Sequence, residues 1–444
     1  MRNILFSIFV IAICSSLTYS QDFKPEVKIG GVIYTGWEFN MDNALFIAKV
    51  DTNQPNANIP FGFAPTKNQF ETSMNSFFLE RSYINVLASL TPQIKGRITP
   101  DVVSFTDGTG KTQYQLTLKY ANLVYTPLQK ESGMSLGFTL GILPNRWIEG
   151  AEKYWGYRGV AKTLTDYTFV TGASRSGVNV SKTTSSYFSS ADLGLDIGFT
   201  APKGYAEIFA SVLNGNGYRN LSFDNRFKDL LVSAFIHPLA GQISKKMDAA
   251  KKNKKDRIDG ITDVTVGGFL YMGKLDKGEN TTVTSSGTVA TQYQRNRFGG
   301  MAHLRLNFKN AGFVRIGGEF SLVSNQDPAA VKPDSVMKTN STGLSAYLEF
   351  NPPVKSIDEK LSLIARYDMF DPNTDNQSAS INSFNDNTDK QSLLILGLMF
   401  KPNKVLTLGV SWQSTTYDEN YIVKYDGTTS KTDSRLLVHG ILNF

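Results

Sequence analysis

The feature that most constrains this chain is an alternation of apolar and polar residues with a period of two, repeated from one end to the other. The stretch 191–200 is a plain instance: Leu193, Leu195, Ile197 and Phe199 alternate with Asp192, Gly194, Asp196 and Gly198. Successive side chains of a β-strand point to opposite faces, so such a stretch makes a strand with one apolar and one polar side. The helical period is almost absent. After an apolar run at residues 4–13, no later run is long enough to cross a bilayer as a helix. The pattern predicts an all-β chain.

The alternating segments are 27–39, 77–90, 94–105, 114–125, 134–143, 191–200, 205–213, 229–237, 263–274, 295–308, 313–322, 344–350, 361–370, 392–400, 405–413 and 435–444. They make about sixteen strands, with ends uncertain by a few residues. In 27–39, Val27, Ile29, Ile33, Trp37 and Phe39 oppose Lys28, Tyr34 and Glu38. In 94–105, Ile94, Ile98 and Val102 oppose Lys95, Arg97 and Asp101, and in 114–125, Leu116, Leu118, Tyr120 and Val124 oppose Gln115, Thr117 and Lys119. In 295–308, Phe298, Ala302, Leu304, Leu306 and Phe308 oppose Arg297, His303, Arg305 and Asn307. Tight turns at 91–93, 129–133, 201–204, 309–312 and 401–404 alternate with long polar loops at 40–76, 144–189, 275–294, 323–343, 371–391 and 416–434.

Residues 1–20 read as a secretory signal peptide: Arg2 is the basic start, and a cut before Gln21 leaves 21–444 as the mature chain. A lipidated Cys14 is the rival reading, but Ile13 stands where a small residue is expected. With the signal removed, the chain has no cysteine and so no disulfide or thiol chemistry. Aromatics at 12%, 37 glycines and 19% charge show no break that would mark a second domain.

Export, turn–loop asymmetry and the terminal Phe444 together point to a transmembrane antiparallel β-barrel in a bacterial outer membrane. In hydrocarbon every backbone N–H and C=O needs an internal partner, and a sheet provides that only when it closes on itself. The apolar face then meets lipid and lipopolysaccharide, and the polar face lines the lumen. Sixteen strands leave room for a water-filled channel. Phe444 ends an amphipathic strand with Leu436, Val438 and Leu442 and matches a recognition signal for the barrel-assembly machinery.

Several stretches resemble the phosphate-selective porin O and P family, a group of sixteen-stranded trimeric outer-membrane porins. They are FLERSYI (78–84), LKYANLVY (118–125), LGILP (140–144), VLNGNG (212–217) and IARYD (364–368), in matching order and spacing. The resemblance covers nearly all of the mature chain. The arginine-rich run of that family's second strand is thinned here to Arg81, between Glu80 and Ser82. It implies a homotrimer, passive diffusion of small hydrophilic solutes or anions, and a loop after the fifth strand that folds inward.

That loop is 144–189. It carries Trp147, Trp155 and the basic residues Arg146, Lys153, Arg158, Lys162, Arg175 and Lys182, against Glu149, Glu152 and Asp166, a net charge of +3. Strand parity assigns Lys28, Arg81, Lys95, Arg97, Lys119, Arg297, Arg305, Arg315, Arg366 and Arg435 to the lumen. It also assigns Glu38, Asp101, Asp192, Asp196, Glu207, Glu319, Glu349 and Asp368 there, so the wall is mixed, with most charges expected to pair across strands. The candidate pore-lining set is therefore Arg146, Trp147, Lys153, Trp155, Arg158 and Lys162 in the loop, and Arg81, Lys95, Arg97, Lys119, Arg297, Arg305, Arg315 and Arg366 on the wall.

The lysine-rich run 244–257 reads as the one helix-compatible segment and as a solvated periplasmic turn. Asp371, Asn373 and Asp375 resemble part of a calcium loop that lacks its glycine and closing glutamate. His237, His303 and His439 fall on separate strands, and no catalytic, metal, cofactor or nucleic-acid motif is present. The expectation is a non-enzymatic porin with mild anion preference; the alternatives are a structural or adhesive barrel plugged by its loops and, further off, a barrel-embedded hydrolase.

Overall fold

The computed structural model describes residues 23–42, 44–47, 75–106, 112–167, 169–176, 179–185, 187–219, 227–252, 257–276, 282–284, 287–289, 292–328, 336–372, 374, 390–418, 422–424 and 428–444. The signal peptide 1–20, most of the loops 40–76 and 371–391, and part of the loop 275–294 lie outside these residues.

Sixteen antiparallel strands close into one barrel. They are β1 (Glu26–Asn40), β2 (Asn75–Ser89), β3 (Ile94–Thr106), β4 (Thr112–Gln129), β5 (Ser135–Pro144), β6 (Ala191–Thr200), β7 (Ala206–Leu213) and β8 (Asp229–Ile236). Then come β9 (Gly260–Asp276), β10 (Gln292–Asn307), β11 (Phe313–Pro328), β12 (Val336–Asn351), β13 (Leu361–Asp371), β14 (Gln391–Phe400), β15 (Leu406–Tyr417) and β16 (Thr432–Asn443). Each pairs with its neighbours in sequence, and β1 pairs with β16 from Val32↔Asn443 to Asn40↔Arg435. The closing bonds continue to the last residue: the Gly31 N–H donates to Phe444 O at 2.7 Å, and the Phe444 N–H to Gly31 O at 3.0 Å. Every predicted strand is present.

The outer surface is a belt of exposed Leu, Ile, Val and Phe drawn from nearly every strand, including Ile98, Leu140, Val266, Phe298, Ile316, Leu344, Leu396 and Val410. No water-exposed protein face tolerates apolar surface on that scale, so the belt faces lipid. The opposite parity points inward and is polar: Asp101, Thr139, Asp196, His303, Glu319, Arg366, Ser411 and His439 are all buried inside the barrel.

Bulges correct the predicted faces in one strand. Thr99 of β3 pairs with Tyr120 of β4, but the next residue, Pro100, pairs with Leu118, so Lys119 is an extra residue in β4. One inserted residue exchanges the two faces beyond it. Tyr120 and Val124, expected toward lipid with Leu116 and Leu118, turn inward: the Arg97 guanidinium lies 4.0 Å from the Tyr120 ring centroid, and Val124 lines a lumenal cavity with Asn122. Leu123 becomes the lipid-facing residue. A second bulge lodges Pro127, which has no N–H to give the ladder.

Among the described residues, two α-helices break the all-strand pattern. The lysine-rich turn after β8 does form a helix, α2 (Ala240–Lys252), after α1 (Arg146–Trp155) in the segment following β5. The lysine-rich run is thus one of two α-helical segments among the described residues rather than the one helix-compatible stretch. Beyond the helix, Arg257 forks onto both carboxylate oxygens of Asp358, at 2.9 and 2.7 Å, in the turn after β12.

Candidate functional site within the barrel

The segment between β5 and β6 enters the barrel. Asn145, directly after the strand, caps α1: its side-chain oxygen accepts from the Trp147 and Ile148 N–H groups at 3.1 and 3.2 Å. Glu149 stands in the first turn and Lys153 in the last, which suits the helix dipole. Gly156 ends the helix at φ 73°, where its N–H bonds back to Glu152 O. A side chain there would strike the Arg315 guanidinium, which donates to Trp155 O at 2.9 Å.

Apolar packing fixes α1 to the inner wall of β8–β12. Trp147 is fully buried, stacked on Phe235 with ring centroids 5.5 Å apart, and tilted against Phe269. Gly150 has no side chain because the Phe235 ring occupies that space. Tyr154 packs on His303, and Trp155 sits edge-on to Tyr347 with the Arg366 guanidinium above its ring. Trp147 and Trp155 therefore face the wall and hold the segment in place.

Beyond the helix the chain reaches round the lumen. The Tyr157 hydroxyl donates to Glu349 of β12, the Val160 carbonyl accepts from Gln413 of β15 at 3.0 Å, and Gly159 touches Ile441 of β16 and Tyr34 of β1. It returns past Leu164, fully buried beside Gly343 of β12, to Tyr187 against Phe370 and Phe188 against Phe269 and Tyr271.

The segment's charge is largely neutralised within its own frame. Arg146 bonds Asp196 of β6 at 2.8 Å, Glu149 at 2.9 Å and Thr139 at 3.2 Å. Arg158 pairs with Glu152 and, at 2.6 Å, with Asp166. All three acids of the segment thus sit on Arg146 or Arg158. Lys153 lies over the Tyr154 ring, and Lys162 lines an upper cavity, where burial holds its ammonium below the ordinary lysine range. The side chains of Arg175 and Lys182 lie outside the described residues.

The wall residues divide the same way. Arg315 pairs with Glu349 of the neighbouring strand at 2.5 Å, and Arg366 with Asp368 two residues along at 2.8 Å. Arg305 bonds Glu359 in a turn at 3.0 Å. Arg81 donates to the Tyr83 hydroxyl at 2.7 Å, and Lys119 to the same oxygen at 2.8 Å. Arg97 bonds Asn85 and Thr99 at 3.0 Å each. Arg297 lies over the rings of Phe188 and Tyr271, with no carboxylate in ion-pair range among the described residues. The candidate list left out Asn85 and Arg295, although they share the parity of Arg81 and Arg297, and parity itself missed Tyr120 and Asn122 beyond the β4 bulge. The restart of polar residues at Asn122, out of step with Lys119, was the available signal for the β4 pair.

Cavities remain on both sides of the segment. On the turn side, about 310 Å³ is lined by Lys28, Lys95, Arg97, Asn122, Arg146 and Glu149 among others. On the loop side, about 330 Å³ is lined by Glu38, Lys162, Gln413, Asp433 and Arg435 among others. The first has four basic groups and one acid, whereas the second is balanced. Two of the three histidines share neighbours: Tyr154 lies against both His237 and His303, His237 Nδ1 is 2.9 Å from Thr265, and His303 Nε2 is 3.8 Å from Asp263, whereas His439 bonds Ser411. Among the described residues, no group of three or more His, Cys, Asp or Glu is placed to hold a metal.

No family model matches the sequence, and no curated protein does. Among solved structures, the outer-membrane channel DcaP of Acinetobacter baumannii superposes with a TM-score of 0.52 at 11% identity, over 96% of this chain and 99% of that one. Pseudomonas putida OprB does so with a TM-score of 0.50 at 9% identity, over 97% of this chain and 95% of that one. At these identities the likeness is one of fold.

Proposed function

We propose that this chain is a bacterial outer-membrane porin that lets small hydrophilic solutes diffuse through a lumen narrowed by the segment 144–189. The observation that carries the reading is a polar lumen crossed by the inward segment, with cavities of about 330 and 310 Å³ left on its loop and turn sides. The fold likeness to an outer-membrane channel supports it. In a constricted, low-dielectric passage a few fixed charges bias permeation more than many spread along a wide wall. The basic turn-side cavity therefore supports a mild anion preference. Membership in the phosphate-selective O and P family, and assembly as a homotrimer, are inferred from the ordered motifs alone. The lipid-facing belt is read as contacting lipid and lipopolysaccharide, and Phe444 as the handle for barrel assembly.

A second reading is favoured by the burial of the segment: a barrel it plugs, with no meaningful conductance. Single-channel recording with reversal potentials in unequal salt separates the two. The porin reading expects steady conductance with modest anion preference. Replacing Lys28, Lys95 and Arg97 together by Gln shifts the reversal potential toward cations, and shortening 147–187 raises conductance. A silent, correctly folded barrel establishes the plugged reading instead.

A further inference from the structure

A third cavity, of about 210 Å³, lies at the base of the inward segment on the loop side. Both ends of the segment line it, through Asn145 and through Tyr187, Phe188 and Ser189; the barrel contributes Asp192, Tyr271, Arg295 and Arg297. Its volume is well beyond what one water or a monatomic ion requires.

Among the described residues, every charged group lining this cavity except Arg297 has a hydrogen-bond partner. Asp192 accepts the N–H groups of Leu193 and Gly215 at 2.7 and 2.9 Å, which ties it to the backbone. Arg295 pairs with Asp229 at 3.1 Å and donates to Gly215 O at 3.2 Å. Arg297 is 7% exposed, and its Nε is buried without a hydrogen-bond partner. The rings of Phe188 and Tyr271, at 5.1 and 4.9 Å from its guanidinium carbon, engage its π-system, and among the described residues no carboxylate lies in ion-pair range of its N–H donors. An unpaired buried guanidinium is costly unless an anion completes it.

We propose that this cavity binds the carboxylate of a small organic acid, with Arg297 as its ligand. A guanidinium fork matches a planar carboxylate in two parallel hydrogen bonds. One guanidinium without a hydrogen-bond partner suits a monoanion, while the fixed Asp192 carboxylate disfavours a second negative charge. Asn145 spends its oxygen on capping α1, which turns its amide N–H groups to donor work in the same cavity. A bound acid therefore touches the wall and both ends of the segment. The proposal rests on the barrel fold and not on conduction.

Calorimetric titration of the folded barrel in detergent, in chloride buffer, with sodium acetate as the probe, tests it. Saturable binding at one site per chain is expected. Arg297→Gln weakens it about 10- to 100-fold, as expected for loss of a charged hydrogen bond. Lys203→Gln, in a turn remote from the cavity, leaves it unchanged. Should the Gln variant not fold, Arg297→Lys keeps the charge but loses the fork, and weaker acetate binding is expected from it as well. Absence of saturable acetate binding by the wild type, acetate binding unaffected by the folded Arg297 variant, or tighter binding of inorganic phosphate at this site overturns the proposal. Because none of these readings uses conductance, they stand apart from the test of the porin reading.

Discussion

At the scale of single residues, pairing decides what each lumenal charge can do. Arg146 and Arg158 looked like selectivity residues because they bring positive charge into a candidate constriction. Inside the barrel they serve as anchors, since Asp196, Glu149, Glu152 and Asp166 take up their charge. Removing one member of a buried pair leaves the other uncompensated, at a cost of about 3–5 kcal/mol. Arg146→Gln is thus expected to lower the thermal midpoint of the folded barrel, because Asp196 keeps only its 2.7 Å bond from Ser211. Adding Asp196→Asn should recover most of the loss. A double variant no more stable than Arg146→Gln alone would show that the pair does not hold the segment.

At the scale of elements, β4 shows how one extra residue redirects a strand. With Lys119 bulged, Leu123 faces outward and Val124 inward, opposite to a reading that carries the parity of Leu116 through the strand. Leu123→Arg should cost roughly 2–4 kcal/mol if it lies near the bilayer midplane. Val124→Arg places its charge in the aqueous lumen and should fold normally. Folding yields in lipid vesicles, read from the gel shift between boiled and unboiled samples, distinguish them; the reverse ranking would mean that the bulge is absent. The helix α1 was legible in part. Asn145 before it, Glu149 in its first turn and Gly156 after it are ordinary helix signals. They were obscured because its apolar residues face a wall supplied by β8–β12, which no local pattern reveals.

At the scale of the whole molecule, closure is the governing condition. The last backbone pair joins Gly31 to Phe444, so the C-terminal residue completes the seam between the first and last strands. Deleting Phe444 removes both bonds and leaves the Gly31 N–H and C=O open at the turn-side rim. It also removes a ring that is 59% exposed. The assembled fraction in outer membranes, measured by heat-modifiable migration, is expected to fall. An unchanged fraction would refute a role for Phe444 in both closure and recognition.

The sequence by itself determined that this chain makes sixteen antiparallel strands, where each lies, and which parity of most strands turns inward. These properties are local: neighbouring residues on a strand point opposite ways, and lipid accepts only one kind of face. It also determined which residues bring charge to the lumen. Only the tertiary structure decided which of those charges are spent. Arg146 meets Asp196 fifty residues on, Tyr157 meets Glu349, and Arg297 meets two aromatic rings but, among the described residues, no carboxylate in ion-pair range. Those outcomes depend on how far a segment reaches across a closed barrel and which strand it meets there, distances that no period in the sequence records.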